Sequence, residues 1–269
     1  MILLNDYEAY CFDLDGTIYI GDQLLSGVKE TIKQIRKHNK KILFITNSPT
    51  LTRKAGKEKL EKLGIETNIE EIITAPYLAA TYFAQKESNV SVFVIGEEAI
   101  FEELEHFGIN TTDRPLQATH VLVGLDQEFT YHDLNKATEA VRYSKKLIIT
   151  NPDPACPVPG GFMPDTMSIA KAIEVASEQQ IDQVLGKPDP IYGNKMLEIL
   201  DVPPQKTLVI GDRLETDIHL GVTNGFKTCL VLTGISTEAD VQRSSVKPDY
   251  IINDLLNIFY PEVAYIREK

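Results

Sequence analysis

The chain has 269 residues, of which 43% are hydrophobic, so it can bury a large core and is long enough for two domains. Its net charge of −12 argues against a nucleic-acid partner, because extended contact with phosphates needs an excess of positive charge. No apolar run reaches membrane-spanning length, and the N-terminus lacks the segments of a signal peptide. We therefore expect a cytoplasmic protein with no membrane partner.

The first apolar run ends in two carboxylates. Residues 9–12 have the pattern of a short buried strand, and Asp13, Asp15 and Gly16 follow it. Because the backbone turns beyond a buried strand, both carboxylates can face one small pocket, and Gly16 lets main-chain amides approach a ligand. Two crowded carboxylates repel unless a cation such as Mg²⁺ lies between them or one keeps its proton. Alone, this motif is better explained as an acidic turn.

The next elements alternate between helices and strands. Residues 27–38 have helical periodicity, residues 41–45 have that of a strand, a second helix ends at Gly64, and residues 71–74 can form a short strand. This β-α-β-α-β order predicts a mostly parallel sheet covered by helices on both faces.

A second alternating block occupies about residues 82–182. It contains predicted strands at residues 90–95, 120–125 and 147–149 and predicted helices at residues 97–107, 134–142 and 168–177. Residues 151–161 are so rich in proline and glycine that they predict a long ordered loop instead of a strand or a helix. Such loops commonly carry binding residues, although a structural crossover is the default interpretation.

The carboxyl-terminal third returns to the first pattern. Predicted strands at residues 183–185, 207–210 and 228–232 alternate with helices at residues 191–200 and 216–223, and an edge strand is expected at residues 250–252. The sequence therefore predicts an α/β fold with a Rossmann-like, doubly wound parallel sheet. Residues 1–79 and 184–269 would form this core, and residues 80–183 would form an inserted α/β domain.

Polar side chains follow four of the predicted core strands. They are Asp13 with Asp15, Thr46 with Asn47, Lys187, and Asp212 with Asp217. Because the carboxyl ends of the strands share one edge in a doubly wound sheet, these groups should converge. Each one alone has an ordinary explanation, such as a helix cap or a solvated charge, but four at one edge predict a site.

The set is complete for phosphoryl transfer through an aspartyl-phosphate. Asp13 can attack phosphorus, and Asp15 can protonate the leaving alcohol and later take a proton from water. Thr46 and the Asn47 amide can donate hydrogen bonds to phosphate oxygens, while Lys187 offsets the charge that spreads over them.

The same residues offer a magnesium site. Asp212 would complete a Mg²⁺ shell together with the Asp13 carboxylate and, by geometry, the Asp15 carbonyl, with water in the remaining positions. Asp217 is predicted to support these ligands without binding the cation itself.

Four segments of the chain resemble, in sequence and in order, the signature motifs of the haloacid dehalogenase-like (HAD) hydrolase superfamily. They are F-D-L-D-G-T, F-I-T-N-S, G-K-P-D-P and I-G-D-R-L-E-T-D. The resemblance covers nearly the whole chain and implies the roles already given to Asp13, Asp15, Thr46, Lys187 and Asp212. An aspartate at position 15 favours the phosphatases over the dehalogenase and phosphonatase branches, and no catalytic position departs from the pattern.

The position of the insertion narrows the resemblance. The gap between Asp13 and Thr46 is too short for a domain, so the inserted domain lies between Thr46 and Lys187. There its α/β pattern resembles the large cap of the NagD-like, p-nitrophenyl phosphatase-like subgroup. This implies that the cap selects the substrate through the 151–161 loop, and that a homodimer could form through the cap. Asp153 could accept hydrogen bonds from substrate hydroxyls, although an Asp-Pro turn explains it equally well.

The function predicted is a Mg²⁺-dependent phosphatase that acts on a small phosphorylated metabolite. Sugar phosphates, nucleoside monophosphates, phosphoglycolate and p-nitrophenyl phosphate all fit. The candidate substrate-binding residues are Thr46, Asn47, Ser48, Asp153 and Lys187. Closure of a cap would exclude large substrates, so poor activity on phosphoproteins is expected.

Two alternatives share part of this chemistry. A phosphomutase also needs Asp15, but mutases of this superfamily usually carry a helical cap in the first gap, where this chain has no room for one. A response-regulator receiver also combines a phosphorylated aspartate, Mg²⁺, a threonine and a lysine. Receivers, however, carry the acceptor on the third strand and have no comparable cap.

Overall fold

The computed structural model of the protein describes residues 2, 4–86, 89–158, 160–256 and 258–259. The strands in these ranges are, in chain order, β1 (Ala9–Asp13), β2 (Tyr19–Ile20), β3 (Gln23–Leu24), β4 (Lys41–Ile45), β5 (Ile72–Ile73), β6 (Ser91–Ile95), β7 (Asn110–Thr111), β8 (His120–Val123), β9 (Leu147–Ile149), β10 (Ala155–Val158), β11 (Gly161–Pro164), β12 (Gln183–Val184), β13 (Thr207–Gly211), β14 (Lys227–Val231) and β15 (Tyr250–Ile252).

The α-helices in the same ranges are α1 (Val28–Lys37), α2 (Arg53–Lys62), α3 (Ala75–Ala84), α4 (Glu98–His106), α5 (Tyr131–Ser144), α6 (Thr166–Ser177), α7 (Pro190–Leu200), α8 (His219–Asn224) and α9 (Glu238–Arg243). A π-helical turn, Leu214–Ile218, comes directly before α8. No helix in the described part of the chain is long and apolar enough to cross a membrane.

The chain divides into two compact units. Unit 1 consists of Met1–Thr46, Lys54–Ile73 and Lys187–Lys269, and unit 2 consists of Asn47–Arg53 and Thr74–Gly186. The sequence pattern places the divisions at 79/80 and 183/184 instead, because it does not reveal α3, which lies wholly in unit 2. Nearly every side chain of α3 is buried, so the helix shows no amphipathic period.

Unit 1 contains a six-stranded parallel sheet in the order β15-β14-β13-β1-β4-β5. Strand order reverses at β1, which is completely buried and pairs with β4 on one side and β13 on the other. Phe12 lies level with both Phe44 and Ile210, so these three strands end at the same edge. The predicted Rossmann-like, doubly wound core is confirmed, and its switch point is at β1.

Unit 2 contains a second parallel sheet, in the order β12-β9-β8-β6-β7. The prediction that residues 183–185 form a strand of the core is wrong, because β12 pairs with β9 in this second sheet, and a short apolar run does not reveal which sheet it joins. Helices α5 and α6 pack against β8, and α3 packs beside α4. Residues such as Val121, Ile149, Val141 and Ile173 form a buried core between the sheet and these helices. The inserted region therefore has the α/β architecture that the sequence predicts.

One stretch of the 151–161 prediction is wrong. Residues 155–158 form β10, which pairs antiparallel with β11 in a two-stranded hairpin. A proline inside a strand normally argues against that assignment, because it cannot donate to a ladder. In the described structure β10 has one neighbouring strand, and prolines within sheets are confined to strands of this kind, which have an unpaired edge. The β2–β3 hairpin after Asp15 also has no counterpart in the sequence prediction.

Candidate active site

Asp13, the last residue of β1, is held by a buried lysine. Its Oδ1 accepts a hydrogen bond from Lys187 Nζ over 2.5 Å, and the same Nζ donates to Asp217 Oδ1 over 2.6 Å. Lys187 and Asp217 are almost fully buried. Oδ2 of Asp13 accepts no hydrogen bond from the described residues, and the Asp13 side chain keeps 9% of its surface exposed. Asp13 therefore presents one oxygen that is not bonded to the lysine.

Three carboxylates crowd around this single ammonium group. One oxygen from each of Asp13, Asp212 and Asp217 can be chosen so that all lie within 4.8 Å of one another. Burial raises the pKa of Asp13 well above its usual value, and Asp217 and Asp212 raise it further against the opposing effect of Lys187. Burial, and then Asp217, raises the pKa of Asp212 to about 6. The site therefore has an unbalanced negative charge that a divalent cation would neutralise.

The hydrogen bonds indicate which carboxylates could hold that cation. Asp217 has both oxygens engaged, because Oδ1 accepts from Lys187 and Oδ2 accepts from the Arg213 backbone N–H over 3.1 Å. Asp212 accepts from the Ile235 N–H through Oδ2, while its Oδ1 accepts nothing from the described residues. The donor set thus fits a hard cation through Asp13 and Asp212, with Asp217 supporting Lys187.

A loop that the sequence does not single out fixes Asp212. The loop follows β14, and its Ile235 N–H reaches Asp212 Oδ2 over 2.7 Å while the Ser236 N–H reaches the Asp212 carbonyl over 3.0 Å. Ser236 Oγ in turn accepts from the Leu214 N–H at the start of the π-helical turn. A Cβ added to Gly234 would lie 1.9 Å from Asp212 Oδ2. The loop comes directly after a core strand, at the sheet edge, and this position is the signal in the sequence that could have identified it.

The turn after β1 is equally tight. Gly16 has a φ of +88°, and a Cβ at this position would lie 2.7 Å from Asp212 Oδ2. The Gly16 N–H donates to the Tyr19 carbonyl over 2.8 Å, and Thr233 Oγ1 donates to the Gly16 carbonyl over 2.5 Å. Glycine is needed here both for the backbone conformation and for the approach of the carboxylate.

Asp15 differs from the other carboxylates of the site because its side chain is exposed and accepts no hydrogen bond from the described residues. Enough protein still surrounds it for desolvation to raise its pKa, while Lys59, Lys187 and Arg213 act in the opposite direction. A carboxyl group with a raised pKa and free access to solvent can exchange a proton with a substrate.

Thr46 is fixed by a tyrosine that the sequence prediction does not include. The Thr46 N–H donates to the Ile73 carbonyl and to the Tyr192 hydroxyl, at 3.0 and 2.9 Å. The Tyr192 hydroxyl lies 3.1 Å from the Thr46 carbonyl and 3.0 Å from that of Ile73, either of which can accept its proton. Tyr192 belongs to α7, so this helix secures the end of β4 against β5. In the sequence Tyr192 looks like an ordinary core residue.

The remaining predicted residues lie in unit 2. Asn47 Nδ2 donates to Asp153 Oδ2 over 3.0 Å, and Asn151 Nδ2 donates to the Asn47 carbonyl over 2.8 Å. Ser48 Oγ is 3.4 Å from Thr50 Oγ1. The structure thus brings Asn47 and Asp153 together by a direct contact, which joins the segment after β4 to the loop after β9.

Comparisons with known proteins agree with the motifs. Residues 10–110 match the family model of the haloacid dehalogenase-like hydrolases, and residues 184–258 match a HAD-hydrolase-like model. The acid sugar phosphatase of Staphylococcus epidermidis is 33% identical over 252 residues, which are 94% of this chain and 96% of that protein.

Solved structures of phosphatases are also similar to this chain. The p-nitrophenyl phosphatase from Archaeoglobus fulgidus has a TM-score of 0.89 at 31% identity and covers 94% of this chain and 98% of its own. NagD from E. coli K-12 has a TM-score of 0.85 at 25% identity, with coverages of 93% and 97%. The glycerol phosphate phosphatase Rv1692 from Mycobacterium tuberculosis, solved in complex with magnesium, has a TM-score of 0.86 at 28% identity, with coverages of 95% and 77%. The chain therefore belongs to the haloacid dehalogenase-like hydrolase family and is a phosphatase of that family, as its four motifs predict.

Proposed function

We propose that the protein hydrolyses small phosphate monoesters through an aspartyl-phosphate on Asp13. The carrying observation is the environment of this residue: Lys187 holds Oδ1, while Oδ2 accepts nothing from the described residues and the side chain keeps 9% of its surface exposed. In the first step, an Asp13 oxygen forms a bond to phosphorus as the bond between phosphorus and the leaving oxygen breaks. Lys187, positioned by Asp217, offsets the charge on the phosphate oxygens.

Asp15 is proposed as the acid and base of the two steps. Its proton goes to the leaving oxygen when the monoester is cleaved, which releases a neutral alcohol and leaves Asp15 ionised. Water then attacks phosphorus, Asp15 takes the proton from that water, and the bond between phosphorus and Asp13 breaks to give inorganic phosphate. The exposed position and raised pKa of Asp15 support this role. Thr46 and Asn47 are proposed to donate hydrogen bonds to the phosphate.

We assign Mg²⁺ to the carboxylate cluster, with Asp13, Asp212 and the Asp15 carbonyl as the protein ligands. When bound, the cation would supply the positive charge that lets two anions approach each other. Three observations support this assignment. They are the crowding of Asp13, Asp212 and Asp217, the raised pKa of Asp212, and the magnesium complex of the related glycerol phosphate phosphatase.

Substrate selection is proposed to lie in the inserted cap domain, predicted as residues 80–183, while residues 1–79 and 184–269 are predicted to form the catalytic core. The Asn47–Asp153 hydrogen bond supports a role for the 151–161 loop in this selection, since it ties the loop to the segment that follows Thr46. The names of the relatives, acid sugar phosphatase and p-nitrophenyl phosphatase, support the proposal that the substrates of this protein are small monoesters with a polar leaving group. A homodimer through the cap and a cytoplasmic location stay predictions.

The test is release of inorganic phosphate from a panel of sugar phosphates, nucleoside monophosphates, phosphoglycolate and p-nitrophenyl phosphate, with Mg²⁺ and with EDTA. We expect release that requires the cation, disappears in Asp13→Asn and persists in Asp22→Asn, which alters an exposed aspartate in the turn between β2 and β3. Undiminished release by Asp13→Asn would contradict the aspartyl-phosphate, and an isomerised monoester without free phosphate would favour a phosphomutase.

A further inference from the structure

A lysine outside the family motifs lies next to Asp15. Lys59 of α2 places its Nζ 3.7 Å from the centre of the Tyr19 ring. Tyr19 is 1% exposed, and its backbone is bridged to Asp15 while its carbonyl accepts the Gly16 N–H. The ring is therefore fixed to the same turn that presents Asp15, and the ammonium group rests on that ring.

The ammonium group of Lys59 has no acceptor among the residues that the structure describes. Within the described part of the chain, its Nζ makes no hydrogen bond and no ion pair, although the side chain is half-buried. Lys57 on the same helix instead pairs with Glu61. An ammonium that lies on an aromatic face gives up part of its hydration, and the face cannot satisfy its three N–H donors. Such a group is well placed to donate to a ligand.

The contacts of Lys59 and Lys187 show which carboxyl group each lysine lies near. Lys59 lies over the ring of Tyr19, whose backbone is bridged to Asp15. Lys187 is instead bonded to Asp13 and Asp217. Each lysine therefore lies near a different carboxylate. Lys187 is bonded to Asp13, the proposed nucleophile, and Lys59 lies near Asp15, the proposed acid that protonates the leaving oxygen.

Resting on the proposed phosphatase function, we propose that Lys59 binds the leaving group of the substrate. Its ammonium, seated on the Tyr19 ring, donates to a hydroxyl or carboxylate oxygen close to the ester oxygen. The favoured substrates are then monoesters of polyols, sugars and hydroxy acids, in preference to esters of simple alcohols that offer no second oxygen.

The test compares leaving groups that differ in that oxygen. Values of kcat/KM are measured for glycerol 1-phosphate, phosphoglycolate and n-propyl phosphate with the wild type, Lys59→Met, Lys59→Arg and the control Lys62→Met, which removes an exposed lysine of the same helix. Since a hydrogen bond from a charged group contributes about 1.5–3 kcal/mol, we expect Lys59→Met to lose about tenfold or more on the first two substrates. The loss on n-propyl phosphate should stay below about threefold, and Lys59→Arg should keep part of the preference.

Equal losses on all three substrates would overturn the proposal, because the ammonium would then act only through Asp15. Unchanged kcat/KM on all three would overturn it as well. A wild type that releases no phosphate from any monoester would instead overturn the proposed function, so the two failures are distinguishable. Circular dichroism checks that Lys59→Met is folded, and Lys59→Gln, which keeps a polar end without the charge, replaces it if it is not.

Discussion

Asp217 fixes the position of Lys187: its Oδ1 lies 2.6 Å from the lysine Nζ, and both side chains are almost fully removed from solvent. The second oxygen of Asp217 accepts the Arg213 N–H, and the Asp217 side chain packs against Gly211, where a Cβ would come within 2.3 Å of it. Asp217 is thus anchored to the backbone at the end of β13. It draws Lys187 away from an exclusive bond to Asp13 and leaves this proposed nucleophile less tightly paired.

This arrangement predicts that Asp217→Asn lowers activity by about 10- to 100-fold, as removal of a positioning group commonly does. The loss should fall mainly on kcat, because Lys187 would then pair more closely with Asp13 and reduce its nucleophilicity. Steady-state kinetics on the best monoester measure the effect. The matched control is Glu215→Gln in the same π-helical turn, whose side chain is exposed. If both variants behave alike, Asp217 has no special role.

Metal binding should also be visible as stability. A Mg²⁺ concentration of about 100 times Kd adds about 2.7 kcal/mol to the free energy of unfolding if only the folded state binds the ion. We expect Mg²⁺ to raise the Tm of the wild type and to have little effect on Asp212→Asn. In EDTA the variant should be at least as stable as the wild type. The reason is that repulsion between Asp212 and Asp217 disappears while the amide oxygen still accepts the Ile235 N–H. A full Mg²⁺ shift in Asp212→Asn would exclude this residue as a ligand.

The sequence predicts most of the core strands and their polar ends, because buried parallel strands are apolar runs and a charge directly after one is conspicuous. The strand before Lys187 is the exception, since β12 belongs to the sheet of unit 2. Asp13, Lys187 and Asp212 are indeed brought together. The supporting contacts have no such signal. Ile235 acts through its backbone N–H, and Tyr192 acts through a hydroxyl on a residue type common in cores. Long-range contacts of this kind depend on loop geometry and leave no periodic trace in the sequence.

Gly234 offers a steric test of the loop that fixes Asp212. Alanine at this position would place Cβ 1.9 Å from Asp212 Oδ2, so either the carboxylate or the loop must move. We expect Gly234→Ala to lower kcat/KM by at least about tenfold and to weaken the Mg²⁺-dependent rise in Tm. Gly108→Ala serves as the control for backbone strain without a clash, since a Cβ there meets nothing within 4 Å although the φ of +67° is unfavourable for alanine. Normal kinetics and a normal Mg²⁺ response in Gly234→Ala would show that the loop adjusts without moving Asp212.

The surroundings of His120 predict a pH dependence of stability that is separate from the carboxylates of the proposed site. Burial lowers its pKa below the usual 6.5, Lys86 and Lys146 lower it further, and Asp182 opposes them. The folded protein therefore binds fewer protons at His120 than the unfolded chain does. The resulting stability is present above pH 6.5 and is lost as the pH falls through 6.5 towards the folded pKa.

We accordingly expect wild-type Tm to fall relative to that of His120→Gln as the pH is lowered from about 7.5 to about 5, a range that spans the unperturbed histidine pKa. Because both proteins carry the same aspartates, the difference between them isolates His120. Lys86→Met should reduce the difference by removing one of the neighbouring charges. A constant difference across this range would mean that the histidine has the same pKa in both states.

The hydrogen bond between Asn47 and Asp153 separates two roles for the 151–161 loop. If Asp153 acts by holding Asn47, the two residues form one unit, and Asn47→Ala, Asp153→Ala and the double variant should raise KM by similar factors. A double-mutant cycle on stability should then give a coupling of about 0.5–3 kcal/mol, as contacting residues do. We expect this result, because the Asp153 Oδ2 that could accept a substrate hydroxyl already accepts the Asn47 amide. If Asp153 instead contacts the substrate directly, Asp153→Ala will raise KM for sugar phosphates well beyond the effect of Asn47→Ala. The free-energy losses of the two single variants will then add in the double variant.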